Sequence, residues 1–503
     1  MLKKIFSQNK YFFLILLLAV VLRVLGLKHG FPFIFHPDEP TVVRSALGIR
    51  FYPNPKHFDW PHLYIYLNYF LYMFFAKFRA FLEILKLKPF LSGIFPLIWN
   101  DDLIFYFSTR LFGALLGAFT VIPVYLAGKA LFNKKIGLFS ALAFSIIPYH
   151  VWHSHYSVID VPMVFFFAWA TYFCIKTLKS PDLKNYILAG LFVGLSASTK
   201  YHGALSALVL VIAFLGKFLI MEKNPRALLR NLYKPLLSGL FSLIGFLIGT
   251  PYALLDWETF SGADNAKGAL WQFKNVGSVS LGNHSNQFLN AFIEKFPSDW
   301  SFVFVLMFLA ALLYAAYLFF TKKLRSYTKT ALLIVFIPAL FYLFYISGFE
   351  KNRSHYYMIS YPFVALAVGW FIYQLKEKVS IKPTNPLIFL MFFIPFIFSV
   401  ENTLMFIRKD TRNILHEYVE EFNSSRENPY KIYYSSTNLK QVLPEGSRRI
   451  GDVFGFYPLD PSLLIRECNL ESPPGTVFHG IFHYISNSFR RGPEICIYES
   501  VHL

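Results

Sequence analysis

The sequence predicts an all-α polytopic membrane protein of about eleven spans, with interfacial helices in its first outer loop and a small α+β domain at its carboxy-terminal end. Three observations predict it. The 503 residues are 55% hydrophobic, 19% aromatic and only 15% charged, and their mean hydropathy is +0.45, far from the balance of a soluble chain. Apolar stretches of roughly 17 to 25 residues, the length that crosses a bilayer, recur up to residue 400 and then stop. Between them, Lys and Arg cluster on every second loop, as expected when basic residues stay on the cytoplasmic side.

The first span, 11–27, lacks a small-residue cleavage site and is followed by Lys28, His29 and Gly30, so it reads as an uncleaved anchor. The next spans are expected at 103–129, 136–152, 161–178, 183–199, 203–221, 236–255, 302–320, 331–347, 358–375 and 386–401. One set of loops holds Lys3, Lys4 and Lys10, then Lys129, Lys134 and Lys135, then Lys176, Lys179 and Lys184. It continues with Lys223, Arg226, Arg230 and Lys234, with Lys322, Lys323, Arg325 and Lys329, and with Lys376, Lys378 and Lys382. These loops alternate strictly with poorly basic ones, which predicts a cytoplasmic amino terminus and an extracytoplasmic tail. Residues 62–83 are apolar enough to count as a span, but counting them would invert every later loop. They are expected as amphipathic helices lying at the interface within the outer loop 28–102.

Beyond residue 402 the composition gains charge, Pro, Gly and Ser, which marks a domain boundary: 1–402 in the membrane, 403–503 outside. Within the tail, 411–422 reads as helix, while 431–434 and 495–498 read as strands. Cys174 lies in a span; Cys468 and Cys496 share the tail, where export would permit one disulfide. The net charge of +19 does not point to nucleic acid, because the cations follow topology instead of forming a basic face.

Chemistry-bearing residues gather at span ends on one predicted side. Asp38 and Glu39 stand in His36-Pro37-Asp38-Glu39-Pro40 after the first span, and Asp160 opens the fourth. Lys200 lies between the fifth and sixth, while Lys351, Arg353, His355 and Tyr356 lie between the ninth and tenth. Ionisable groups at a bilayer edge are costly unless paired or used. Carboxylates beside cations suit a reaction in which one side removes a proton and the other receives an anionic leaving group, as in glycosyl transfer from a lipid phosphate. Each has a plainer account: Asp38 and Asp160 as helix caps, Lys200 and Arg353 as cations reaching for headgroups. His150, His153 and His155 match no ligand signature, so the chemistry requires no cofactor and a divalent metal stays optional. Arg110 finds candidate partners in Asp101 and Asp102; Arg23 finds none.

These residues resemble those of the GT-C superfamily of membrane glycosyltransferases, in the branch of protein O-mannosyltransferases and the aminoarabinose transferases of lipid A. The resemblance rests on His36-Pro37-Asp38-Glu39-Pro40, Trp60-Pro61-His62-Leu63-Tyr64, Thr109-Arg110-Leu111-Phe112-Gly113, Ile159-Asp160-Val161-Pro162, the Gly190 to Gly203 stretch with Thr199-Lys200, and Arg353, Tyr356 and Pro362. It implies the GT-C fold, with Asp38 as catalytic base; Glu39 and Asp160 are expected to orient the acceptor or Asp38. Aminoarabinose transferases carry a Lys where this chain has Trp60, so phosphate contacts are expected from His62, Lys200, Arg353, His355 and Tyr356. The expected activity is inverting transfer of a hexose or pentose from a polyprenyl phosphate to a hydroxyl on protein, lipid or glycan at the outer face of the plasma membrane. The alternative is a transporter or flippase for a lipid-linked sugar, against which stand the one-sided charges and the lack of an internal repeat.

Overall fold

The structure, a computed structural model, describes residues 2–275, 286–321, 324–378, 385–426, 430–449, 462–468, 483–487 and 490–499. Lys322, Lys323 and Lys382, named above, lie outside the described residues. The chain forms two compact units, Met1–Val24 with Asp38–Val400 and Leu25–Pro37 with Glu401–Leu503. The 25–37 segment thus joins the carboxy-terminal unit, where the Asn413 amide donates to the carbonyls of Gly30 (3.0 Å) and Phe31 (3.1 Å).

Eight helical stretches among the described residues are long and apolar enough to cross a membrane: Leu103–Leu131, Asp160–Lys179, Tyr201–Met221, Pro225–Gly249, Pro297–Thr321, Ser326–Ser347, Ser354–Lys378 and Pro386–Ser424. Three expected spans fall short of that, for visible reasons. The stretch 136–152 is cut before Pro148 into helices Lys134–Ser145 and Pro148–His153, because the residue before a proline is pushed out of the helical region. Helix Leu183–Thr199 has 17 residues, about 26 Å at 1.5 Å per residue, less than a hydrocarbon layer of ~30 Å. Helix Leu2–Val24 departs from helical geometry at Asn9. The segment expected at the interface is a single helix, Leu63–Ile84, burying Leu63, Ile65 and Tyr72 and exposing Phe70, Phe74 and Phe81.

The exterior of the larger unit is greasy. Leu236, Leu240, Leu243 and Ile248 project from helix Tyr233–Gly249, as do Leu306, Leu313 and Phe320 from helix Phe302–Thr321. Such faces are stable only in apolar surroundings; the protein is a multi-pass membrane protein.

Two of these helices meet without side chains between them. A methyl group on Gly190 would lie 2.0 Å from the Ser238 carbonyl oxygen, and one on Gly194 2.0 Å from that of Ser242. Small residues four apart let backbones approach this closely where lipid supplies no hydrophobic drive. The contact fixes helix Leu183–Thr199, and with it Lys200, the residue that follows.

In the smaller unit, helix Thr411–Ser424 covers a five-stranded sheet ordered β2-β1-β3-β5-β4. The strands are β1 (Lys431–Tyr434), β2 (Arg448–Arg449), β3 (Ser462–Glu467), β4 (His483–Ile485) and β5 (Ile495–Glu499). β1 runs parallel to β2 and β3, while β5 is antiparallel to β3 and β4. Leu415 and Val419 pack on Ile432, Leu463, Ile465 and Ile497, and Cys468 and Cys496 form a disulfide.

Replacing Gly194 by Leu is expected to cost about 3 kcal/mol or more, since the added atoms meet backbone that has no rotamer to yield. Tryptophan-monitored thermal unfolding of the purified protein checks it; an unchanged midpoint would show that the two helices are not in contact.

Candidate active site

A cavity of about 300 Å³ opens in the larger unit, and Asp38, Asp160, Lys200, Arg353, His355 and Tyr356 line it. Each sits where a helix begins or ends. Asp38 immediately precedes helix Glu39–Gly48, and its side chain makes no capping hydrogen bond. Asp160 is the first residue of helix Asp160–Lys179. Lys200 ends helix Leu183–Thr199, and Arg353 precedes the turn Ser354–Ser360. Helix starts favour anions through their unpaired backbone N–H groups, which suits both carboxylates.

The charges are partly matched. Lys200 Nζ donates to Asp160 Oδ1 at 2.5 Å, with the two side chains 14% and 8% exposed. His153 Nε2 lies 3.4 Å from Asp160 Oδ2. Lys200 also stands 4.7 Å above the Tyr356 ring, an attraction of the cation to the ring face. His355 stacks on His153 at 5.5 Å, and His202 on Tyr356 at 5.7 Å. Arg353 is exposed at the cavity and makes no ion pair among the described residues. The arrangement offers an anion a planar, five-donor cation in Arg353 and a point charge in Lys200.

The acidic pair is divided between two tasks. Whereas Asp38 borders the cavity, Glu39 is fully buried and paired bidentately with Arg110, Nε to Oε1 at 2.7 Å and Nη2 to Oε2 at 2.8 Å. The Ser157 N–H donates to the same Oε1 at 2.9 Å. Arg110 therefore takes Glu39 as partner, while Asp101 accepts from Arg79; proximity in sequence pointed to the wrong carboxylate. Arg23, without a candidate partner from sequence, donates to the carbonyls of Ser145 (2.9 Å) and Ala19 (3.1 Å) and contacts His150 Nδ1 at 3.1 Å.

His62 does not border the cavity. Its ring donates from Nε2 to the His57 carbonyl at 2.7 Å, and burial pushes its pKa down to about 4, so at neutral pH it carries no charge to offer a phosphate. His150 faces Arg23, and His155 bonds the Val151 carbonyl at 2.8 Å. Only His153 of that trio reaches Asp160, and no three His, Cys, Asp or Glu residues converge as metal ligands among the described residues.

Several residues at or beside the cavity are not singled out by the sequence. Asp59, Gln272 and Phe273 line the cavity, and Lys295 reaches the loop that carries Arg353, donating to the Asn352 carbonyl at 2.5 Å and its side-chain oxygen at 3.0 Å. Asp59 adjoins the Trp60-Pro61 segment already singled out, which was a usable signal. Lys295, in a 46-residue loop, offered none.

Breaking a fully buried ion pair strands the surviving charge, at a cost of about 3–5 kcal/mol. Glu39→Gln is expected to lower the thermal midpoint accordingly, and the double variant Glu39→Leu/Arg110→Leu to recover most of the loss. A single variant as stable as the parent would show that the pair is not buried together.

The sequence pattern of the family "Dolichyl-phosphate-mannose-protein mannosyltransferase" matches residues 87–249. The Saccharomyces cerevisiae dolichyl-phosphate-mannose–protein mannosyltransferase 1 is 28% identical over 155 residues, 30% of this chain and 18% of the yeast protein; the match therefore spans less than a fifth of that relative. ArnT from Cupriavidus metallidurans, solved with undecaprenyl phosphate, aligns over 98% of both chains with a TM-score of 0.53 at 12% identity. The apo oligosaccharyltransferase of Archaeoglobus fulgidus aligns over 89% of this chain and 64% of its own length, with a TM-score of 0.49 at 15% identity. By sequence over part of its membrane region and by fold over nearly its whole length, the protein is similar to the GT-C membrane glycosyltransferases, and its fold is theirs.

Proposed function

We propose that the protein is an inverting glycosyltransferase that moves a hexose or pentose from a polyprenyl-phosphate donor to a hydroxyl of a protein, lipid or glycan. One observation carries this reading: a single cavity gathers the carboxylate of Asp38 with the cations of Lys200 and Arg353 from segments more than three hundred residues apart. Similarity to mannosyltransferases that use a lipid-phosphate sugar and a fold shared with a protein solved with undecaprenyl phosphate support the donor class.

In this reading Asp38 takes the proton from the acceptor hydroxyl as its oxygen bonds to the anomeric carbon from the face opposite the phosphate. The bond between that carbon and the phosphate oxygen breaks, and its electron pair leaves with the lipid phosphate. Arg353 and Lys200 stabilise the growing negative charge, the guanidinium as a fork and the ammonium as a point charge. His355 and Tyr356 border the phosphate, and Asp160 holds Lys200 in place. Glu39, locked to Arg110, fixes the backbone from which Asp38 projects. A lipid phosphate departs as a stable anion, so the reading calls on no separate acid and no cofactor. The alternating basic loops support an amino terminus in the cytoplasm, with the site and the disulfide-bearing unit on the outer face of the plasma membrane.

Asp38→Asn keeps the shape of the side chain but cannot accept a proton, and is expected to slow transfer at least about 100-fold with the fold intact. Release of free lipid phosphate from a radiolabelled polyprenyl-phosphate sugar measures it. Turnover at the parental rate would remove Asp38 from the role of base.

A further inference from the structure

One wall of the cavity is not used by the chemistry above. Asp59 and Trp60 come from the loop before helix Leu63–Ile84, Tyr201 from the turn after Lys200, and Gln272 and Phe273 from helix Ala269–Asn275; all five line the cavity. They form one surface. The Tyr201 hydroxyl donates to the Phe58 carbonyl at 2.7 Å, the Phe58 N–H to the Lys267 carbonyl at 2.5 Å, and the Tyr201 and Phe273 rings lie 5.7 Å apart.

Within this surface Asp59 is held by its neighbours. His57 Nδ1 bonds Asp59 Oδ1 at 2.6 Å, and His57 Nε2 bonds Ser45 Oγ at 2.9 Å. The second Asp59 oxygen makes no hydrogen bond among the described residues, and its side chain is 30% exposed. Gln272 spends its amide nitrogen on the Ala266 carbonyl at 3.2 Å, which leaves its own oxygen as an acceptor. Flat aromatic faces beside fixed carboxylate and amide acceptors match a pyranose or furanose, which shows an apolar ring face and a rim of hydroxyl donors.

We propose that Asp59 and Gln272, with Trp60 and Phe273, hold the sugar ring of the lipid-linked donor and so decide which sugars are accepted. Asp59 accepts from ring hydroxyls through the oxygen that His57 does not engage, and His57 is its positioning residue. A sugar bearing its own carboxylate meets Asp59 and Asp38 as like charges, so the donor class is a neutral or amino sugar, not a uronic acid. The assignment rests on the lipid-phosphate reading of the cavity.

Binding to the full-length purified protein separates the two. Undecaprenyl phosphate is measured bare, and carrying mannose, glucose or glucuronic acid. Wild type is expected to bind the mannosyl and glucosyl lipids more tightly than the bare lipid, and the glucuronosyl lipid no better than the bare one. Asp59→Ala is expected to weaken the neutral-sugar lipids about 10- to 100-fold, the loss of a charged hydrogen-bond acceptor, while the bare lipid binds within twofold of wild type, which also reports an intact fold. Gln272→Ala, on an exposed helix, is expected to shift the same ligands in the same direction by a smaller factor. Equal effects on bare and sugar-bearing lipids, no effect of either variant, or preference for glucuronosyl lipid would overturn the sugar subsite. Failure of wild type to bind even bare undecaprenyl phosphate would overturn the lipid-phosphate reading, and the subsite with it.

Discussion

The buried pair between Glu39 and Arg110 is the contact on which the site depends. A carboxylate and a guanidinium with no exposure to water must satisfy each other almost completely, because each carries a desolvation cost of several kcal/mol. The fork geometry meets that demand, and the Ser157 N–H adds a third donor. Three distant pieces of chain are joined at one point as a result: the start of helix Glu39–Gly48, helix Leu103–Phe119, and the turn that leads into Asp160. Asp38, one residue from that junction, inherits its position from a neighbour that has no freedom to move.

The other charges follow a complementary logic. Asp160 is engaged on one oxygen by Lys200 and on the other by His153. Lys200 leans on the Tyr356 ring as well, and that ring is flanked by His202 and His355. A cation held by one carboxylate and one aromatic face keeps part of its field for an arriving anion. The cavity thus combines a carboxylate edge, a cationic edge and an aromatic edge within one volume, the three that the proposed transfer from a lipid phosphate calls on.

Asp38, Asp160, Lys200 and Arg353 were legible in the sequence because ionisable residues are rare in so apolar a chain and their loops alternate in charge. Their convergence depends on the chain's topology, and they line one cavity. Glu39 was legible as acidic but not as Arg110's partner, since 71 positions separate them and Asp101 and Asp102 are nearer along the chain. His62 looked like a phosphate contact by adjacency to the Trp60-Pro61 segment, yet its ring turns to a backbone carbonyl. Asp59 adjoins the Trp60-Pro61 segment in sequence, but Gln272 acquires meaning only when loops far apart in sequence fold against Tyr201, a placement that periodicity does not encode. Among the described residues eight of the eleven expected spans have the full length and apolarity of a membrane helix, because hydropathy registers apolar length but not the break before Pro148 or the shortness of helix Leu183–Thr199.

The glycine contact behind Lys200 bears on how the site operates. Where Gly190 and Gly194 press on the backbone of the neighbouring helix, no side chain is interposed to compress or rearrange, so the two helices travel as one rigid strut. Lys200 at the strut's tip is then a stationary electrode. The loop that carries Arg353 is instead held through Asn352 by the long, rotatable arm of Lys295, so the two cations that line the cavity are supported by unlike means, one by packed backbone and one by a side chain.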